Sequence, residues 1–304
     1  MSKLNGPMLG IVTPVKNESE NLSRLAKTIL SQTKRPDLWV IVDDGSIDYT
    51  PNLIEDLEKN YNFITSLSLP TKHTKYDPIY RYGCVVRIGL EHALNNQGDL
   101  EYFGILDADI VLKEDYYEKT LTAFKLNEKV GIVSGLYIVS SEGNGERRYL
   151  SEPIGGALIF RKKCLLDIGG FPICPSPDTA AIIKAINREW RLAIVSSTYA
   201  IHTRPSNSWT KFVRTGLSRY ILDLHPLSAL SSVLQVFKSS SLNPLGFVIG
   251  YFMGVLYRAS KIEDKEIRRY FHERFHRSLY RTFKRIVERR MIETDPIKCS
   301  TLKL

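Results

Sequence analysis

Two aspartates separated by a single residue are the strongest chemical feature of this sequence. Asp107 and Asp109 follow the apolar run Tyr102–Leu106, which predicts that both carboxylates leave the end of a buried strand. Two carboxylates in this position can turn toward one cation, and oxygen ligands suit Mg²⁺ or Mn²⁺ better than zinc. Such a metal would in turn bind a diphosphate. A bare Asp-x-Asp is frequent by chance, so a pair of solvated turn aspartates is the alternative.

Two further apolar runs also end in polar residues. Met8–Val15 is followed by Asn17 and Glu18, and Leu38–Asp43 is followed by Asp44. In an open parallel sheet, ligands bind in the crevice at the carboxyl ends of the strands. We therefore expect these polar residues and the aspartate pair to meet in one crevice.

The elements that position these residues alternate between short Val- and Ile-rich strands and amphipathic helices. Strands are predicted at Met8–Val15, Leu38–Asp43, Phe63–Leu69 and Tyr102–Leu106, and helices at Glu18–Gln32, after Asp48, at Arg81–Asn95 and at Tyr116–Leu126. This order predicts an α/β fold over roughly residues 8–130, with a mostly parallel sheet flanked by helices on both faces.

The pattern beyond residue 130 is less regular. Strands are predicted at Val130–Val139, Gly155–Phe160 and Leu192–Ala200, a polar glycine-rich loop at Ser140–Arg148, and a helix at Asp178–Arg188.

In chain order, these motifs resemble those of the family 2 glycosyltransferases, which have the GT-A fold. The resemblance covers about residues 8–205 and rests on Thr13-Pro14 with Asn17-Glu18, on Val42-Asp43-Asp44-Gly45-Ser46, on Asp107-Ala108-Asp109, on Gly155-Gly156, on Ile168-Gly169-Gly170-Phe171-Pro172, and on Asp178-Thr179. It implies a catalytic domain over 1–205, with a nucleotide-binding half at 8–130 and an acceptor half at 131–205. The glycine signatures of dinucleotide-binding and P-loop proteins do not occur in the sequence.

The resemblance also implies a role for individual residues in a hexosyltransferase that uses a nucleoside diphosphate sugar. The expected donor contacts are Thr13, Pro14, Glu18, Asp44, Arg81, Arg87, Asp107, Gly156 and Arg204. The expected ligands of Mn²⁺ or Mg²⁺ are Asp107, Asp109 and His202. For Arg81 and Arg87, a surface salt bridge is an equally open interpretation.

Asp178 matches the catalytic base of these enzymes. An acceptor hydroxyl must lose its proton as it attacks the anomeric carbon, and a nearby carboxylate can accept that proton. Single displacement of this kind inverts the anomeric centre. The chain has Pro177 where relatives usually have glutamate, and an N-cap role for Asp178 is the alternative.

Several functions are consistent with this set of residues. The favoured one is a metal-dependent inverting transfer to a hydroxyl of a lipid-linked or cell-surface glycan. The alternatives are a polyprenyl-phosphate sugar synthase, whose phosphate acceptor needs no base, a nucleotidyltransferase, and an inactive membrane-bound scaffold.

The net charge of +9 is concentrated in a helical C-terminal extension, residues 206–304. Residues 258–304 alone contain 14 lysines and arginines against 7 aspartates and glutamates, a net charge of +7. A predicted helix at Ile262–Arg290 has an aromatic face beside an arginine-rich one, which is typical of helices in a lipid headgroup layer. The run Leu245–Tyr257 has no charge but is too short to span a bilayer, and its glycines recur every four residues.

These observations predict a peripheral protein at the cytoplasmic face of a membrane. The alternative is that the extension packs on the catalytic domain or on a second subunit, which would make a homodimer. Nucleic acid is not expected as a partner, because no recognition module occurs in the sequence. The four scattered cysteines, without a Cys-x-x-Cys pair, favour reduced thiols in a cytosolic setting.

Overall fold

The computed structural model describes residues 8–70, 79–96, 98–140, 147–150, 155–204, 209–229 and 243–273. The described chain forms two compact units. The first unit comprises the described residues between 8 and 173 and between 177 and 204. The second comprises residues 174–176 and the described residues from 209 to 273.

The first unit contains nine strands and six helices among its described residues. The strands are β1 (Leu9–Val15), β2 (Leu38–Asp43), β3 (Ile64–Ser68), β4 (Tyr102–Leu106), β5 (Ile110–Leu112), β6 (Val130–Ser140), β7 (Arg147–Leu150), β8 (Ala157–Arg161) and β9 (Arg191–His202). The helices are α1 (Ser19–Leu30), α2 (Thr50–Asn60), α3 (Arg81–Asn96), α4 (Tyr116–Leu126), α5 (Lys162–Asp167) and α6 (Pro177–Asn187).

All nine strands belong to one sheet, in the order β3-β2-β1-β4-β8-β6-β9-β5, with β7 paired to β6. The first four strands in this order are parallel, and β6 is parallel to β9. β8 runs antiparallel to β4 and β6, and β5 runs antiparallel to β9. The mostly parallel α/β fold predicted from the sequence is therefore confirmed.

Helices cover both faces of this sheet, and each face has its own buried cluster of apolar side chains. One cluster joins the sheet to α1, α2 and α4, and the other joins it to α3, α5 and α6. On the second face, α3 lies unusually close to β1 and β2, because a Cβ atom added at Gly89 would be only 2.4 Å from Val12 Cγ1. This close packing fixes the first turn of α3 relative to the ends of the strands.

The predicted elements of the first unit lie within two residues of the observed ones, apart from the loop predicted at Ser140–Arg148. That loop prediction is wrong at both ends, because β6 extends through Ser140 and β7 begins at Arg147; residues 141–146 lie outside the described chain. The short elements β5, β7 and α5 were not predicted.

The second unit is helical in its described residues. It contains α7 (Trp209–Ile221), α8 (described over 226–229), α9 (Asn243–Leu256) and α10 (described over 265–273). The glycine side of α9 packs against α7 so tightly that a Cβ atom at Gly250 would be 1.9 Å from the carbonyl oxygen of Val213. Most of the helix predicted at Ile262–Arg290 lies outside the described residues. No helix in the described part of the chain has the length and apolarity needed to cross a membrane.

Candidate active site

A cavity of about 390 Å³ lies at the carboxyl ends of β1, β2 and β4, where the sequence predicts a ligand site. The side chains around it are mostly polar and come from these strand ends, from the first turns of α3, and from the segment after β9. The lining residues are Pro14, Val15, Lys16, Glu18, Asp44, Arg81, Tyr82, Val85, Asp107, Ala108, Asp109 and Arg204.

The loops after β1 and β2 brace each other beside this cavity. Asn17 has a positive φ of 54°, its backbone N–H donates to Ser46 Oγ at 2.8 Å, and its Oδ1 accepts from the N–H of Ile47 at 2.8 Å. Asp43 stabilises the second loop from inside, because its Oδ1 accepts from both the N–H and the hydroxyl of Ser46. Asp43 is thus a structural residue of the site.

Asp44 is a buried carboxylate held between two cations. The Arg81 guanidinium donates to Asp44 Oδ1 through Nε at 2.7 Å and through a second nitrogen. On the other side, Lys16 Nζ donates to the Asp44 carbonyl oxygen at 2.9 Å and lies 3.7 Å from Oδ2. Lys16 and Arg81 both line the cavity. The wall around Asp44 therefore offers a ligand both a carboxylate held in one orientation and two positive charges.

Glu18 and Asp109 share a contact with Arg204, which follows β9. One guanidinium nitrogen of Arg204 donates to both carboxylate oxygens of Glu18 at 2.6 Å, and its Nε lies 3.5 Å from Asp109 Oδ2. The hydrogen bond with Glu18 raises the pKa of Arg204 above its usual value. The segment after β9 is in this way joined to the loop after β1.

Asp107 is a carboxylate with a hydrogen bond from a buried phenol. The Tyr82 hydroxyl donates to Asp107 Oδ1 at 2.7 Å, and burial holds the pKa of Tyr82 well above its ordinary range. Burial also raises the pKa of Asp107 to about 6, and the nearby carboxylates of Asp109 and Asp178 add to this rise. The backbone at Gly156 lies close to this carboxylate. Its φ is +102°, and an added Cβ atom would be 3.1 Å from Asp107 Oδ2.

Asp109 is placed beside His202 by the pairing of β5 with β9. The N–H and the hydroxyl of Thr203 both donate to the Asp109 carbonyl oxygen at 2.9 Å, and His202 Nε2 lies 3.3 Å from Asp109 Oδ2. Burial alone would raise the pKa of Asp109, but the hydrogen bond with His202 and the charges of His202 and Arg204 outweigh it and hold this pKa below its usual value.

Asp109 and His202 can hold a divalent cation jointly. Adjacent ligands of an octahedral ion with bonds near 2.1 Å are about 3 Å apart, which matches the separation of these two atoms. Asp107, the predicted third ligand, accepts the Tyr82 hydroxyl hydrogen bond through Oδ1. Over the described ranges, no three His, Cys, Asp or Glu side chains form a metal site by themselves.

Asp178 lies in the first turn of α6, next to the two glycines before β8. Its Oδ2 accepts from the backbone N–H of Gly155 at 3.2 Å, and a Cβ atom on Gly155 would be only 2.5 Å from the same oxygen. Gly155 and Gly156 thus leave room for the carboxylates of Asp178 and Asp107, respectively. Because α6 begins at Pro177, Asp178 is within the helix and is not its N-cap.

Three predicted donor contacts, Gly156, Thr13 and Arg87, do not line the cavity, and Gly156 lies instead beside Asp107. The side chain of Thr13 is fully buried, and its hydroxyl accepts from Trp39 Nε1 at 3.0 Å. Arg87 donates to Glu91 Oε1 at 2.8 Å on the same helix. The reason is helical geometry, since residues six apart lie about 120° apart around a helix axis. Arg87 therefore cannot share the orientation of Arg81, which does line the cavity.

Three residues of the site were missed by the sequence analysis. Lys16 and Tyr82 line the cavity, and Tyr137 lies behind it, with its ring centroid 6.2 Å from that of His202. Tyr82 is next to Arg81 and Lys16 lies between Pro14 and Glu18, and these positions were the available signal, whereas no predicted site residue adjoins Tyr137 in the sequence.

Comparison with known proteins agrees with this geometry. The sequence profile of glycosyl transferase family 2 matches residues 10–191, which is more than half of the chain. The chain belongs to glycosyltransferase family 2. It is 27% identical over 200 residues to a poly-beta-1,6-N-acetyl-D-glucosamine synthase of Staphylococcus epidermidis, an alignment that covers 58% of this chain and 43% of that protein. This family 2 chain thus spans less than half the length of its curated relative.

Solved glycosyltransferase structures share the fold at low sequence identity. A mannosyltransferase from Pyrobaculum calidifontis, in complex with GDP-Man and Mn²⁺, has a TM-score of 0.53 at 14% identity and covers 93% of this chain and 81% of its own. GalNAc-T7 with UDP, GalNAc and Mn²⁺ has a TM-score of 0.52 at 13% identity and covers 72% of this chain and 48% of its own. The family 2 chain has the GT-A fold.

Proposed function

We propose that this glycosyltransferase is metal-dependent and inverting, and that it moves a hexose from a nucleoside diphosphate to an acceptor hydroxyl. The observation that carries the proposal is the convergence of Asp44, Asp107, Asp109 and Arg204 on one cavity. Asp178 accepts a hydrogen bond from the backbone of Gly155, just before β8. Residues 1–205 form the catalytic domain in this proposal, and residues 206–304 form the extension.

The donor lies across the carboxyl ends of β1, β2 and β4. Asp44, fixed by Arg81 and Lys16, offers a carboxylate to the base or ribose, while Pro14 and Val15 supply apolar contact. Arg204 is half exposed, and its guanidinium geometry suits the oxygens of a diphosphate. Glu18 holds the orientation of this guanidinium.

Asp109 and His202 hold Mn²⁺ or Mg²⁺ in this proposal, and Asp107 contacts the ribose or the waters of the metal. The two solved structures described above contain Mn²⁺, one with GDP-Man and one with UDP and GalNAc, which supports the same choice here. A divalent cation at this position offsets the negative charge that develops on the departing diphosphate.

Asp178 acts as the base. Its carboxylate takes the proton of the acceptor hydroxyl, the acceptor oxygen forms a bond to the anomeric carbon, and the bond from that carbon to the diphosphate oxygen breaks. Attack from the side opposite to the leaving group inverts the anomeric centre. The nucleoside diphosphate leaves with the electron pair of the broken bond.

A phosphate acceptor is the main competing proposal, and Asp178→Asn separates the two. A thermal-shift panel of nucleoside diphosphate sugars with Mn²⁺ first selects the donor, because a ligand that binds the folded state stabilises it. With that donor and a panel of hydroxyl and polyprenyl-phosphate acceptors, we expect Asp178→Asn to lower kcat at least 100-fold while the donor KM stays within about twofold, since general base catalysis contributes about 10²–10⁴.

The exposed Asp56→Asn, on α2, is the matched control and should retain the wild-type rate. A mild effect of Asp178→Asn, combined with turnover only on polyprenyl phosphate, would replace the hydroxyl acceptor by a phosphate.

The enzyme works at the cytoplasmic face of a membrane in this proposal, on a glycan or a lipid-linked acceptor. The support is the basic C-terminal sequence, in which residues 258–304 carry a net charge of +7. Such a charge attracts a protein to anionic lipid headgroups.

A further inference from the structure

The helix α9 of the second unit has two faces of different character. No residue of Asn243–Leu256 is charged. On one face, Gly246, Gly250 and Gly254 are buried, and added Cβ atoms there would meet α7 at 3.2 Å or less. The glycine face is therefore used within the unit, for packing against α7.

The other face of α9 exposes large apolar side chains. The exposed fractions are 50% for Leu245, 39% for Ile249, 64% for Phe252, 37% for Met253, 46% for Val255 and 77% for Leu256. At about 100° per residue, all of these positions except Met253 fall on the side of the helix away from the glycines, and Met253 lies at the edge of the glycine side. Contiguous apolar surface of this kind marks an interaction site, whereas single exposed apolar residues are ordinary.

An exposed aromatic side chain with a polar group lies near each end of α9, with Trp209 on its glycine side. Trp209 is 43% exposed, and its Cε3 would be 3.3 Å from a Cβ atom on Gly246, near the start of α9. Tyr257 is 73% exposed and directly follows the helix. Tryptophan and tyrosine are enriched where apolar lipid meets water.

The C-terminal sequence that contains the helices of the second unit carries the whole net charge of the protein. Residues 174–176 and 206–298 contain 17 lysines and arginines against 8 aspartates and glutamates, a net charge of +9, while the rest of the chain has 25 of each. Six of these cations are exposed among the described residues, including Arg214 on α7 and Arg258 after α9. An apolar face in a unit of this charge is complementary to a surface that is apolar inside and anionic outside.

We propose that the exposed face of α9 docks the protein onto an anionic lipid bilayer, with the helix lying along the membrane surface. The helix has 14 residues, about 21 Å, and the hydrocarbon core is about 30 Å thick. The apolar face enters the boundary between headgroups and acyl chains, and the basic residues bind anionic headgroups. This inference deepens the proposed membrane association and rests on it.

Vesicle co-sedimentation of the full chain tests the docking face. Wild type is compared with Ile249→Ser plus Phe252→Ser, using vesicles of phosphatidylcholine alone and of phosphatidylcholine with phosphatidylglycerol. We expect wild type to prefer the anionic vesicles and the double variant to bind them at least tenfold more weakly. The control is Leu126→Ser plus Leu166→Ser, which removes two apolar side chains of the first unit that are 50% and 55% exposed and should leave binding unchanged.

The same samples distinguish the other possible occupants of this face. If the double variant binds vesicles like wild type, the inference is overturned. Together with a lower melting temperature than the control, that result would assign the face to the protein's own residues 274–304. A wild-type dimer in light scattering that becomes monomeric in the double variant, with vesicle binding unchanged, would assign it to a second copy.

Turnover of a soluble donor, measured without vesicles, separates this inference from the proposed function. The double variant should keep the wild-type rate, because neither residue belongs to the cavity. Vesicle binding without any donor turnover would leave the docking face intact and refute the proposed reaction.

Discussion

At the scale of single residues, Asp107 shows the conflict between stability and function most clearly. Its carboxylate lies near Asp109 and Asp178, and burial raises its pKa to about 6 from the usual 3.8. A carboxylic acid with a raised pKa is harder to ionise in the folded state than in the unfolded chain. The hydrogen bond from Tyr82 opposes this effect without removing it.

The sign of the resulting pH dependence follows from proton linkage. Between about pH 4 and pH 6 the folded protein binds more protons at Asp107 than the unfolded chain does, so this residue lowers the free energy of unfolding as the pH rises. In the presence of a chelator, we expect Asp107→Asn to be more stable than wild type by about 1–3 kcal/mol well above pH 6.

Thermal unfolding at several pH values measures this difference. Near pH 4 the two proteins should unfold at the same temperature, because Asp107 is then protonated in the folded state. An Asn variant that is less stable than wild type at neutral pH would mean that the charge of Asp107 stabilises the fold, and would contradict this account of the site.

At the scale of elements, the tight α7–α9 contact determines how much change the second unit tolerates. An added methyl group at Gly250 would lie 1.9 Å from the backbone oxygen of Val213, and backbone atoms cannot move aside as a flexible side chain can. Alanine gains about 1 kcal/mol of helix propensity over glycine, but this gain is smaller than the cost of separating the two helices.

We therefore expect Gly250→Ala to lower the free energy of unfolding by about 2 kcal/mol or more. Gly98→Ala is the control, because nothing lies within 4 Å of its added Cβ atom. Thermal unfolding and hydrogen exchange of the α7 and α9 amides measure the effect. Equal melting temperatures for Gly250→Ala and wild type would show that these helices are less tightly packed than the structure indicates.

The elements also show how much of the fold can be predicted from the sequence alone. β4 and α4 have the predicted bounds, because apolar periodicity and flanking polar residues identify long buried elements well. β5 has three residues and α5 has six, and such short elements depend on tertiary pairing that no local pattern reveals. The pairing of β5 with β9 brings His202 to Asp109, so this contact could be inferred only from family resemblance.

The same limit applies to the orientation of side chains at strand and helix ends. Asp44, Asp109 and Arg204 lie in the cavity as the motifs suggest, whereas Thr13 is turned inward to Trp39. A motif identifies which residues are near a site. Which face of the sheet each one occupies depends on packing, and packing also places Lys16 and Tyr82 in the cavity.

At the scale of the whole molecule, charge and chemistry occupy different parts of the chain. Residues 206–298 carry the net charge of +9, while the rest of the chain, which contains the cavity, has equal numbers of acidic and basic residues. In the proposed function, this neutral part of the chain attracts the anionic donor through local groups, namely Lys16, Arg81, Arg204 and a divalent cation. In these proposals, the basic C-terminal sequence determines where the protein binds, and the carboxylates at the strand ends determine which reaction it performs.

The most direct test of the central claim, a metal-dependent nucleotide site built on Asp109, needs no acceptor. Isothermal titration with UDP, GDP, ADP and CDP is carried out with Mn²⁺ and with a chelator, on wild type, Asp109→Asn and the surface control Asp56→Asn. We predict that wild type and the control bind at least one nucleotide with Mn²⁺. Removing the metal or the Asp109 charge should each weaken that binding at least tenfold. Equal affinity in all conditions, or binding of none of the four nucleotides, would contradict it.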